Sequence, residues 1–193
     1  MLASASPRRT ALLTMLGLAH EVAPAEVDES LLPGEDAPAH VERLAREKAG
    51  VIAARRPEAL VLGSDTVVVL DGEILGKPAR RQEAVATLMR LSGRDHVVFT
   101  GLALAAPGGP VHAVVSTTRV RFRDFDESTA RRYVATGEPM DKAGSYGIQG
   151  LGAALIDEVD GDYFTVVGFP IPALVRVLEA AGWRYDFGSL EPL

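Results

Sequence analysis

A mixed α/β fold is what this 193-residue chain predicts, and three observations carry the prediction. Short runs of aliphatic and β-branched residues alternate with segments whose apolar residues recur at helical spacing. Two turn signals, Asp71-Gly72 and Pro107-Gly108-Gly109-Pro110, join strand-like runs directly, which parallel strands do not allow. A hydrophobic content of 47% supplies enough apolar surface for a buried core. Because βα units and hairpins are interleaved, the sheet is expected to be mixed rather than purely parallel.

The elements follow in order. Met1-Leu2 leads directly into a Ser/Arg loop. Ser6 precedes Pro7 as an N-cap does, and a helix follows through Leu12, Leu13 and Leu16 to Gly17. Residues 36–56 read as a helix with Val41, Leu44, Lys48 and Ile52 on one stripe. Strands are expected at 60–63 and 66–70, with a break at Gly63-Ser64-Asp65, and Asp71-Gly72 turns the chain into 73–75. Residues 81–91 form the next helix, closed by Ser92-Gly93. Residues 96–104 and 111–122 form a long antiparallel pair. Asp126 caps a helix through Tyr133 and Val134, a Gly-rich loop spans 144–152, and short strands are expected at 153–159 and 164–167. Residues 171–181 make the last helix, ending at Gly182.

Composition narrows the function. A formal net charge of −6 argues against broad nucleic-acid binding, yet leaves room for a small anion held by a few local cations. With no cysteine, disulfides, Cys-ligated zinc and thiol nucleophiles are all excluded, and a cytoplasmic location is the simplest expectation. No apolar stretch has the length of a membrane span, and the first residues do not read as a signal peptide. Neither internal repeats nor linkers are visible, and the length of 1–193 fits one domain or two small lobes sharing a sheet.

Six places carry chemistry. The run Ser4-Ala5-Ser6-Pro7-Arg8-Arg9 sets two hydroxyls and two fixed charges at a helix start, either an anion site or a capped helix with two solvated arginines. Asp65 sits between two aliphatic runs, where an acid is either buried beside a cation or metal, or exposed at a strand break bonding its own turn. Lys48 lies on an apolar helix stripe, so its ammonium either snorkels to water or meets an anion. Lys77, in Gly76-Lys77-Pro78, is a turn lysine or a further cation, and Glu29 is an exposed loop acid or a second metal ligand. In the run from Asp141 to Gly150, three glycines in seven positions permit close backbone approach, and the spacing matches neither a P-loop nor a dinucleotide fingerprint. Gln149 offers one donor and one acceptor, complementary to N3–H and O4 of uracil or thymine, or it ties the loop to itself.

Together, Ser4-x-Ser6-Pro7-Arg8-Arg9, Gly63-Ser64-Asp65-Thr66, Gly76-Lys77-Pro78 and the run from Asp141 to Gly150 resemble, in order and spacing, the Maf family of nucleoside triphosphate pyrophosphatases. The resemblance extends to Gly168-Phe169-Pro170. It implies an elongated mixed α/β sheet with two lobes flanking a cleft, similar to the inosine triphosphatase fold. It also implies hydrolysis of a nucleoside triphosphate to the monophosphate and pyrophosphate with a divalent cation, Mg²⁺ or Mn²⁺. The Lys142-Ala143-Gly144-x-Tyr146-Gly147-Ile148-Gln149-Gly150 run looks like the branch acting on dTTP and UTP. In that branch, positions matching Asp65, Arg9, Thr66 and Gln149 are the proton acceptor and specificity residues. Ser145 stands where alanine is common, and relatives suggest a homodimer.

On this reading Glu29 and Asp65 hold the metal and Asp65 takes a proton from the attacking water. Ser6, Arg8, Arg9, Lys48 and Lys77 meet the phosphates, and Thr66 and Gln149 meet the base. The nucleotide is the only partner expected, without nucleic acid or membrane. Two rivals remain: a pyrophosphatase for non-canonical purine triphosphates, and a non-enzymatic regulator of septum formation.

Overall fold

A computed structural model describes every residue from Met1 to Leu193. The first helix, α1 (Pro7–Met15), buries Leu12 and Leu13, and the chain leaves it through Gly17 at φ +73°. Ser6 occupies the N-cap position with extended backbone, but its side chain makes no capping bond, contrary to the sequence expectation. The Ser6 N–H donates to the Ser4 hydroxyl at 3.2 Å, which ties the entry of the helix to the residues before it. Helix α2 (Ala37–Arg55) begins as predicted, with the Asp36 carboxylate accepting from the Ala39 N–H at 2.9 Å, and buries Val41, Leu44, Lys48 and Ile52 on one stripe. Loss of that cap in Asp36→Ala is expected to lower stability by about 1 kcal/mol, read by urea denaturation at pH 7. An unchanged midpoint would mean that packing alone fixes the start of α2.

The main sheet has five strands: β1 (Val61–Leu70), β2 (Glu73–Leu75), β3 (Asp95–Ala105), β4 (Val111–Phe122) and β5 (Ile156–Asp160), in the order β2-β1-β3-β4-β5. Asp71 and Gly72 both take positive φ, 52° and 82°, as a tight hairpin turn requires, and this sets the antiparallel register Leu70↔Glu73, Val69↔Ile74 and Val68↔Leu75. Leu2 adds single parallel bridges to Val22 and Leu62, so the pairing is mixed, as predicted. Leu2 is fully buried, and the Ala3 N–H donates to Leu62 O at 2.8 Å.

Three expectations are corrected. Residues 61–70 form one uninterrupted strand, with no break at Gly63-Ser64-Asp65, because Asp65 has an ion partner that makes its burial tolerable. Residues 164–167 are not a strand but part of a short helix, α5 (Tyr163–Val167). The Asp162 carboxylate captures the Phe164 and Thr165 N–H groups and the Thr165 hydroxyl, a local cap that overrides the β-preference of the apolar run. The strand expected at 153–159 is preceded by a 3₁₀ turn, Leu151–Leu155, and itself runs Ile156–Asp160. A second sheet of two strands, β6 (Trp183–Tyr185) and β7 (Leu190–Pro192), follows α6 (Ile171–Ala180) and was not foreseen. Helices α3 (Arg81–Leu91) and α4 (Glu127–Ala135) match expectation.

Two compact units make up the chain. The first comprises Met1–Asp65, Thr100–Ser116 and Gly168–Leu193. Its core includes Ala3, Ala45, Ala49, Ile52, Val61, Ala103 and Ala105, and these small residues let α2 lie directly on the strands. At Gly63 the approach is so close that a Cβ would collide with the Ala45 carbonyl and the Ala49 amide. The second unit comprises Thr66–Phe99 and Thr117–Val167, with a core that includes Leu70, Leu88, Leu91, Val98, Phe122, Tyr133 and Tyr146. No helix is long and apolar enough to cross a membrane.

Candidate active site

The close seating of α2 on Gly63 determines where Lys48 goes. Lys48 is 7% exposed, and its ammonium donates to Asp65 Oδ1 at 2.8 Å while pairing with Glu29 Oε1 at 2.5 Å. A buried ammonium facing two carboxylates is tolerable, because each charge lost from water regains a partner. Of the two readings open for Lys48 in sequence, contact with an anion is the one realised. Asp65 is likewise buried with a cation rather than exposed in a turn. Glu29 keeps one face to solvent, its side chain 53% exposed, so the site opens on that side.

The loop that carries Glu29 is tied down by residues the sequence reading missed. Arg43, on α2, donates to both oxygens of Glu35 at 2.6 and 2.9 Å and to the Ser30 carbonyl at 2.9 Å. His40 Nδ1 lies 2.9 Å from Glu35, and Asp28 accepts from both the amide and the hydroxyl of Ser30. The Arg43 guanidinium is the main reason that the Glu35 carboxyl is held far below the ordinary glutamate range. An acid just before a helix cap with an arginine eight residues on was the available signal.

Arg9 is a clamp as well as a charge. Its Nη1 donates to the Ser64 carbonyl at 2.7 Å and the Ser4 hydroxyl at 3.0 Å, and its Nε donates to the Gly168 carbonyl at 2.9 Å. The Ser64 hydroxyl donates to the same Gly168 carbonyl at 3.1 Å. Three stretches of chain far apart in sequence therefore meet on one guanidinium. Burial pulls Arg9 down to about 10, against the opposing pull of Asp65, and leaves it cationic at neutral pH. The nearby Arg8 lowers it further, as one positive charge does beside another. With Ser6, these arginines stand at the N-terminal end of α1, whose amides favour an anion.

Ser6, Arg8, Arg9, Glu29, Lys48 and Asp65 thus all belong to the first unit, and the contacts among Lys48, Glu29 and Asp65 are direct. Thr66, Lys77 and Gln149 belong to the second. Thr66 follows Asp65 along β1, so its side chain points to the opposite face of the sheet. Lys77 is exposed just after β2, where the Gly76 carbonyl accepts from the Gly144 N–H at 3.2 Å. Gln149 is exposed in a turn, while the bonds that hold its loop come from Glu138 and Tyr133. At Ser145 the backbone takes φ +60° and the buried hydroxyl has no hydrogen-bond partner.

A family model described as Maf-like protein matches residues 1–181. A dTTP/UTP pyrophosphatase of Symbiobacterium thermophilum is 50% identical over 189 residues, covering 98% of this chain and 97% of that one. A dTTP/UTP pyrophosphatase of Myxococcus xanthus is 50% identical over 188 residues, covering 95% of each. One from Moorella thermoacetica is 48% identical over 183 residues, covering 94% of each. Among solved structures, a nucleoside-triphosphatase described as a dITP/XTP pyrophosphatase, from Mycobacterium abscessus, is 15% identical with a TM-score of 0.43, covering 97% of this chain and 86% of that one.

Proposed function

The chain belongs to the Maf-like family, and from that premise we propose that it hydrolyses dTTP and UTP to the nucleoside monophosphate and pyrophosphate. The observation that carries the reading is the convergence of Lys48, Asp65 and Glu29, in the unit that also holds Arg9 and the start of α1.

A triphosphate brings about four negative charges, which repel any nucleophile approaching phosphorus, so such sites work mainly by positioning and charge neutralisation. Arg8, Arg9, Lys48 and Lys77 supply cations, and the Ser6 hydroxyl and the α1 amides supply donors. Asp65 accepts a proton from the water as its oxygen bonds to the α-phosphorus, and the bond from that phosphorus to the bridging oxygen breaks with pyrophosphate leaving. Burial beside Lys48 keeps the Asp65 carboxylate fixed in place.

The donor set also fits a divalent cation. Glu29 and Asp65 are both carboxylates facing the Lys48 ammonium, and hard ions such as Mg²⁺ or Mn²⁺ take one or two carboxylates together with phosphate oxygens and water. Glu29 and Asp65 would hold it, and when bound it would supply further neutralisation of the phosphate charge.

Selection of the base falls to Gln149, with Thr66. The expected result of a nucleotide panel with Mg²⁺ and Mn²⁺ is pyrophosphate release fastest from dTTP and UTP. Preference for ITP or XTP would establish the purine house-cleaning role instead, and inertness on every triphosphate would favour a binding role in septum formation. Gln149→Ala is expected to lower the UTP-over-CTP ratio of kcat/KM about tenfold, the cost of one unmade selective hydrogen bond. An unchanged ratio would move base reading away from Gln149.

A further inference from the structure

The glycines around Gln149 have a physical cause inside the protein. Glu138 opens the 3₁₀ turn Glu138–Asp141, and its Oε2 accepts from the Leu151 N–H at 2.8 Å. Its Oε1 accepts from the Gly152 N–H at 3.0 Å and from the Tyr133 hydroxyl at 2.8 Å. The Tyr133 oxygen in turn accepts from the Gly147 N–H at 3.0 Å. Backbone on both sides of Ile148, Gln149 and Gly150 is therefore tied to one Glu–Tyr pair. A Cβ on Gly150 would strike the Glu138 carboxylate, and one on Gly152 would strike the Tyr133 hydroxyl. Gly150 and Gly152 are therefore required where the backbone closes onto this pair, whereas Gly147 lies against the Lys142 side chain and Gly144 against Val68.

We propose that Glu138 and Tyr133 are positioning residues for selectivity, latching the loop so that the Gln149 amide is presented in one orientation. The inference rests on the reading of Gln149 given above. An amide discriminates a carbonyl and N–H edge from an amino-bearing one only while its oxygen and nitrogen keep their places, and supporting bonds to the backbone provide that constraint. The charges suit the task. Burial alone would raise the Glu138 carboxyl, but the Gly152 and Leu151 amides, the Tyr133 hydroxyl and Lys142 outweigh it, and the group stays ionised below its ordinary 4.5. Burial, with the bond to Glu138, pushes the Tyr133 phenol up, so it keeps its proton to donate.

Glu138→Gln keeps the shape but turns an NH₂ toward a donor, and Tyr133→Phe removes the hydroxyl that receives the Gly147 amide. Each is measured for kcat/KM on UTP and CTP, alone and combined with Gln149→Ala. The expected result is a UTP-over-CTP ratio lowered roughly fivefold by either substitution, and no further loss when either is added to Gln149→Ala. A lowered melting temperature with the ratio intact would reduce the pair to a structural brace and overturn the proposal. If Glu138→Gln does not fold, Tyr133→Phe carries the test. Should Gln149→Ala itself leave the ratio unchanged, the base-reading role fails and this proposal with it. A ratio lowered by Gln149→Ala but not by the latch variants removes this proposal alone.

Discussion

Asparagine at Asp65 is expected to reduce turnover of dTTP and UTP by two orders of magnitude or more, with the fold essentially intact. The substitution preserves volume, and the amide oxygen can still accept from Lys48, whose charge remains compensated by Glu29 at 2.5 Å. What it removes is a group able to take a proton at neutral pH, and loss of a positioned general base lowers rates by about 10²–10⁴. The measurement is steady-state pyrophosphate release by wild type and Asp65→Asn, beside thermal melts of both. A near-wild-type rate would dismiss Asp65 as the base and leave it a structural partner of Lys48. A collapsed melt would show the opposite imbalance, with the ion cluster mattering first to folding.

Acid lability traced to one histidine is the second large expectation. His96 is 2% exposed, its Nε2 2.8 Å from the Tyr146 hydroxyl and its ring edge-on to Phe122 at 4.9 Å, while its Nδ1 has no partner. Burial pulls its pKa from 6.5 down to about 4, with Asp95 pulling weakly the other way. The folded protein therefore keeps this ring neutral. Above pH 6.5 folded and unfolded chains agree and nothing is lost. As the pH falls below that value, the unfolded chain takes up a proton that the fold refuses until about pH 4, so stability drops across this interval by up to about 3 kcal/mol. Urea denaturation of wild type at pH 7 and pH 5 should show the decline. His96→Phe, although less stable at pH 7 for leaving the Tyr146 hydroxyl unpaired, should decline less. Parallel slopes for the two proteins would assign the acid sensitivity to other groups.

Much of the site was legible because its chemistry contradicts its surroundings. A lysine on an apolar helical stripe and an aspartate between two aliphatic runs each imply a partner, and the partners turned out to be one another. Helix limits were legible where a cap is written in consecutive residues, as at Asp36 and Asp126. Local pattern misled where a side chain competes with the backbone. Apolar residues 164–167 suggested a strand, yet Asp162 seized the amides and started a helix. Ser6 looked like a cap, yet its hydroxyl makes no capping bond. The Gly-rich loop signalled close approach, but its partner, Glu138, lies several residues upstream with nothing in its neighbours to mark it.

Taken alone, the order of residues determined the mixed α/β class, the helix periods, the absence of thiol chemistry and the set of charged groups awaiting partners. These follow from spacing and side-chain type, which need no knowledge of distant contacts. Only the folded chain decided that Lys48 faces both Glu29 and Asp65, that Arg9 joins Ser4, Ser64 and Gly168, and that β1 runs unbroken. Each depends on chain segments many positions apart being brought within hydrogen-bonding range. That proximity comes from packing, here from α2 pressed onto Gly63, and packing is the sum of many contacts that no single stretch of sequence contains.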